Sequence, residues 1–322
     1  MSISLSSVIK TGALLVFLLM SACTSIVPRQ SLELLSEFPD IEPRVELETV
    51  PFYEQSGFQG GPAALAIMIN YHGKDATLEQ LIPQIYVQEL ESSSFKEMLA
   101  AANFYDLLAI EQDKKLESIV REIAQGNPVL VKQDLGFDNY PLLHYAVVAG
   151  YDLMSQTLFL RSGEVKRLEL SFVDFEKSWG RAGYVSVLIV PPTQIPATVT
   201  EEDYTRAVIS LAFRASARVS IKAYQYGLRR WPYNYQLQMG LGRASFNFHN
   251  YALAETAYSK AIEVQQESTD AWNMLAYSLL KQNKVKPALV AINQAIRLSP
   301  DDDSLIKRRL EILEVSRYHD PE

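Results

Sequence analysis

Few residues in this chain are of a type that does covalent or proton chemistry. There is one cysteine, Cys23, and there are four histidines, His72, His144, His249 and His319. A single cysteine excludes an internal disulfide, a multi-thiolate metal site and any thiol nucleophile beyond position 23. Its setting suggests another use. Lys10 is followed by the apolar run Gly12–Met20 and then by Ser21-Ala22-Cys23, the charged, apolar and small-residue series of a secretory signal. The run is shorter than the ~20 apolar residues of a spanning helix. His249 and His319 are too far apart for a recognisable metal motif, and His72, in Tyr71-His72-Gly73, reads as a helix end where an imidazole meets the C-terminal dipole. No metal or cofactor is expected. What remains is His144, a base with a pKa near neutrality at the head of the run Tyr145–Ala149, with Gln55, Ser56 and the glycine pair ahead of Pro62.

The elements that must position these residues fall into two blocks. At about 100–200 residues per domain, 322 residues make two domains. Hydrophobic residues at 48% and charged residues at 21% fit a globular chain, and a net charge of −8 without a basic block argues against nucleic-acid binding. Pro28, Pro39 and Pro43 mark residues 23–46 as a tether. Apolar residues at three-to-four spacing predict helices over 63–71, 77–86, 95–105 and 116–125, and β-branched and aromatic runs predict strands over 128–131, 145–149, 157–160 and 184–189. That order makes residues 47–192 an α+β domain. Pro191, Pro192 and Pro196 announce a linker over 193–200.

Beyond the linker the chain repeats itself at a period of 34. Leu241 aligns with Leu275, Gly242 with Ala276, Ala254 with Ala288, Tyr258 with Ile292 and Ala261 with Ala295, and a weaker copy holds Ser220, Tyr224 and Gly227. Small residues at such positions let paired helices approach, and bulky ones fill the gap to the next pair. Residues 201–322 resemble an all-α tetratricopeptide array, with Asp302–Val315 as its capping helix.

Two further resemblances concern chemistry. Leu19-Met20-Ser21-Ala22-Cys23 resembles a lipobox, which implies removal of residues 1–22, acylation of Cys23 and, with Thr24 in place of an aspartate, an outer-membrane address facing the periplasm. Met20 stands where leucine is usual. Val50–Leu65 (VPFYEQSGFQGGPAAL) resembles the catalytic opening of the double-glycine peptidases, papain-like enzymes that process bacteriocin leaders, and His144–Asp152 (HYAVVAGYD) resembles their histidine strand. The resemblance covers roughly residues 47–192 and is closest to a lipoprotein branch with repeats behind the domain. It implies that Gly60 occupies the nucleophile position, Gln55 the oxyanion position and His144 the base position. The orienting Asp or Asn should fall near Leu160-Arg161-Ser162-Gly163, where neither stands, and Asp152 comes too early.

Glycine supplies no nucleophile, and Ser56, four residues away, needs a different backbone path to reach His144. The leading expectation is an envelope lipoprotein with an inactive peptidase-like groove that binds a peptide or protein segment, and repeats that bind a second protein. The alternative is an active peptidase or acyl-transfer hydrolase using an unrecognised nucleophile with His144. A third reading makes the protein a purely structural one whose repeats do all the binding.

Overall fold

The structure, a computed structural model, describes residues 28–36, 39–54, 60–87, 92–137 and 140–319. Cys23, Gln55 and Ser56 lie outside these residues. The first domain is built on a sheet ordered β4-β9-β5-β6-β7-β8, with β1 joining β6. The strands are β1 (Arg44–Glu46), β4 (Leu108–Glu111), β5 (Val129–Asp134), β6 (Leu143–Asp152), β7 (Thr157–Ser162), β8 (Val165–Ser171) and β9 (Ser186–Val190), and β2 (Tyr86–Val87) pairs separately with β3 (Ser92–Ser93).

Alternation along β6 divides the core into two layers. Tyr145, Val147 and Ala149 pack with α2 (Gly60–Tyr71), α3 (Leu78–Ile85) and α4 (Phe95–Phe104). Ala146 and Val148 pack on the other face with α5 (Leu116–Ala124) and α6 (Phe172–Arg181). Helix α2 is apolar nearly all round, with Gly61 to Ile69 continuously buried, as a helix enclosed between a sheet and other helices must be. It ends at Gly73, whose φ of +71° suits a residue without a Cβ. Helix α3 opens on a capping box between Thr77 and Gln80.

Of residues 23–46, expected to form a tether, residues 29–36 and 39–46 belong to the folded body. Helix α1 (Arg29–Ser36) buries Ser31 and Leu34, and β1 is paired with β6. The anchor is polar: the buried Glu176 carboxylate of α6 accepts from the Gln30 and Ser31 backbone amides at 3.0 and 2.6 Å and from Ser31 Oγ at 2.6 Å. Those amides are ones a helix start leaves without intrahelical acceptors.

The segment expected as a linker is also strapped down. Thr198 donates from its amide and its hydroxyl to the buried Glu122, both at 2.7 Å, and Gln194 donates to Asn127 Oδ1 at 2.6 Å. Helices α7 (Glu201–Ala212), α8 (Ala217–Arg230), α9 (Tyr235–Asn247), α10 (Tyr251–Val264), α11 (Thr269–Leu280), α12 (Val285–Leu298) and α13 (Asp303–His319) follow. Helices α7, α9, α11 and α13 start 34 residues apart, so α13 continues the array in phase. The small residues do what the repeat implies: a Cβ on Gly242 would meet the Tyr258 ring at 2.5 Å, and one on Gly227 would meet Tyr204 at 2.5 Å. Tyr204, Val208 and Leu211 of α7 share one buried cluster with Leu108 and Ile110 of β4, so one of the buried clusters runs through both domains.

Candidate functional site

His144 stands at the start of β6 with its imidazole half-buried, and Nε2 shares a hydrogen bond with Ser162 Oγ at 2.8 Å. The two meet because β7 runs antiparallel beside β6, with Val147 opposite Arg161. Ser162 therefore fills the place where the sequence resemblance calls for an Asp or Asn. It offers a hydroxyl, which fixes the ring without supplying a negative charge. Burial of the imidazole holds the His144 pKa below its ordinary value, so the ring is neutral at pH 7 and competent as a base. Across β5, Gln133 lies opposite His144 and donates through Nε2 to Ser178 Oγ of α6 at 2.8 Å.

Gly60 is the first residue of α2 and contributes backbone alone. The side chain that β6 presents to this turn is Tyr145, which would lie 3.5 Å from a Cβ on Gly61. Its hydroxyl donates to the Ser93 carbonyl at 3.4 Å, and burial pushes the phenol up to about 12. Ser93 Oγ would sit 2.2 Å from a Cβ at position 61, so glycine is required there by close approach. The same Oγ is buried without a hydrogen-bond partner. Beneath this corner, the buried Arg161 donates from Nε to the Val50 carbonyl at 3.4 Å and leaves Nη1 unpartnered, and burial lowers its pKa.

Gly60 lies at a helix start and His144 near a strand start. Sequence reasoning missed Ser162, which was in view as a position without carboxylate or amide, because only the β6–β7 pairing brings a hydroxyl to the ring. His72 is not exposed to a helix terminus alone: its Nε2 donates to the Ile189 carbonyl at 2.6 Å, tying α2 to β9.

Residues 47–187 match the family model described as Peptidase_C39 like family. The first domain is C39-peptidase-like. Residues 246–303, which span α10 to α12, match a tetratricopeptide repeat model. Among solved structures, a putative C39-like peptidase from Bacillus anthracis is 18% identical over 46% of this chain and 98% of its own, with a TM-score of 0.39. The first tetratricopeptide domain of Spaghetti (RPAP3), solved with an HSP90 peptide, is 18% identical over 35% of this chain and 90% of its own, with a TM-score of 0.34. The TPR2B domain of yeast Sti1, in a pHsp70 complex, is 14% identical over 35% of this chain and 96% of its own, with a TM-score of 0.33. No curated protein matches the chain. In the C39-like domain, then, Gly60 starts a helix without supplying a side chain, and His144 carries an imidazole with a hydroxyl partner.

Proposed function

We propose that the protein is an envelope lipoprotein, held through Cys23 to the outer membrane and facing the periplasm, whose C39-like domain binds an extended peptide or partner segment without cleaving it. The repeats dock a second protein, for which α7, α8 and α9 line a groove of about 530 Å³ that includes Phe213, Tyr224, Met239 and Arg243. One observation carries the reading: position 60, where a thiolate would stand, is glycine at the first residue of α2, and the chain's single cysteine is at 23. A groove shaped for backbone recognition keeps that capacity when the nucleophile is lost. The test is turnover and covalent capture on the mature chain. Peptide binding without cleavage, and no labelling by thiol- or hydroxyl-directed probes, is expected; burst labelling would refute it.

A second reading follows from the contact between Ser162 and His144. A serine hydroxyl 2.8 Å from a neutral imidazole is the geometry of an activated nucleophile, which would make the domain a serine hydrolase on a C39-like scaffold. Ser162 is buried, so this reading also requires a path for substrate. Labelling by a fluorophosphonate that disappears in Ser162→Ala and His144→Ala would establish it.

A further inference from the structure

We propose that helix α13 pairs with α13 of a second copy of this chain, in an antiparallel two-fold contact centred on Leu310. The array supplies the first reason. Helix α13 starts 34 residues after α11, so it stands where each repeat has its first helix. On α11, Trp272, Ala276 and Leu279 lie at i, i+4 and i+7 and share a cluster with Ala288, Ala291 and Ile292 of α12, the second helix of that repeat. Shifted by 34, these positions are Ile306, Leu310 and Leu313. Ala276 and Leu279 are 0% and 5% exposed, whereas Ile306 and Leu310 are 43% and 53% exposed and Leu313 is half-buried. The other stripe of α13, Leu305 and Ile312, is buried in the cluster of the preceding repeat. Among the described residues nothing covers the first stripe.

What a repeat places on that face is a helix, and a helix that ends a solvated stack carries a polar outer surface in its stead. Ile306 and Leu310 depart from that rule, and their flank selects the helix that covers them. Lys307 and Glu314 border the stripe on the same side, about 20° apart around the axis at 3.6 residues per turn. Both are exposed, and neither side chain has an ion pair among the described residues. Along the axis Lys307 lies about 4.5 Å before Leu310 and Glu314 about 6 Å after it. A two-fold axis at Leu310 therefore brings Lys307 level with Glu314 of the second copy to within about 1.5 Å, and Ile306 level with its Leu313 by the same margin. The face is complementary to itself in both apolar surface and charge, as an isologous contact requires. One helix face buries less than the ~1,200 Å² of a standard interface, so the expected dissociation constant is on the order of 10 µM.

Sedimentation equilibrium of the full chain in a density-matched detergent tests this. Wild-type protein is expected to dimerise in that range, and Leu310→Glu, at an exposed position, to be monomeric with unchanged helix content and melting. Lys307→Glu and Glu314→Lys each set like charges across the two-fold axis and should weaken the dimer by about 10-fold. An equimolar mixture of these two variants restores both opposite-charge contacts in the heterodimer and should regain wild-type affinity. Wild-type protein that stays monomeric at about 200 µM, well above the expected constant, overturns the proposal and leaves the face to a helix of another protein. A dimer indifferent to Leu310→Glu, or a mixture no tighter than either charge variant alone, overturns it as well.

Discussion

Gly60→Cys is expected to create a thiol more reactive at pH 6 than a free cysteine of pKa about 8.5, since the start of α2 contributes partial positive charge and the family resemblance makes His144 the partner of a thiolate at that position. The gain is held down by two features of the imidazole: its burial lowers its pKa, and Ser162 brings no charge to favour imidazolium. Adding Ser162→Asn should raise the rate further, and His144→Ala should lower it; iodoacetamide kinetics on the three variants read this out. A thiol indifferent to both changes would mean that the two positions are no longer coupled. Peptide cleavage by the single variant is expected to stay weak, because a misoriented base costs as much as about 10⁴ in rate. The same burial has a consequence for stability. His144 and His72 both sit below the ordinary histidine value of 6.5, each chiefly through desolvation. The unfolded chain therefore takes up more protons than the folded one as pH falls below about 6.5, and stability is lost from there down through the folded-state pKa values. Denaturation midpoints measured between pH 7.5 and 5 should fall on acidification, and less so in His144→Asn.

At the level of elements, the repeat predicts its own repair. Gly242→Ala drives a methyl into the Tyr258 ring, which overpacking makes worth about 1–3 kcal/mol of destabilisation. One repeat later the corresponding pair is Ala276 and Ile292, so Gly242→Ala with Tyr258→Ile should recover much of the loss in thermal unfolding. Glu176→Ala should release α1, at about 3 kcal/mol for the charged hydrogen bonds to Gln30 and Ser31, with hydrogen exchange over residues 29–36 rising well before global unfolding. These two elements also mark what could be read from sequence. The repeats, α2 to α5 and the central strands were legible because apolar spacing or self-similarity signals burial locally. Helix α1 was not: it buries Ser31 by pairing with a glutamate 145 residues away, and its apolar content alone reads as a proline-flanked tether. Strand β8 was missed because it presents Lys166, Arg167 and Glu169 on an exposed edge, the charged dressing that keeps an edge strand from pairing further. At the site, Gly60 and His144 were visible as motif positions, whereas the hydroxyl on the ring needed the register.

For the whole molecule, the shared cluster of β4 and α7 makes the two domains one folding unit, and calorimetry should show a single transition with equal shifts from a core variant in either half, such as Val208→Ala or Ile119→Ala. Removing residues 47–192 would strip the partner surface from Tyr204 and Leu211, so it is not a clean way to ask what the repeats do alone. Cys23→Ser is expected to move the protein from the membrane to the soluble fraction with its melting unchanged, since among the described residues the first buried one is Ser31. Glu122, buried and holding Thr198, closes the seam between the halves. With that seam closed, the corner of the C39-like domain that holds His144 and Ser162 and the groove of the repeats sit at a constant separation, like two marks on a ruler. A partner carrying two recognition segments then gains effective concentration only when the chain between them spans that interval, losing everything if it is too short and falling off as roughly the −3/2 power of length beyond. Such a surface selects by spacing as well as by sequence, so two individually weak segments correctly placed can outcompete a single stronger one.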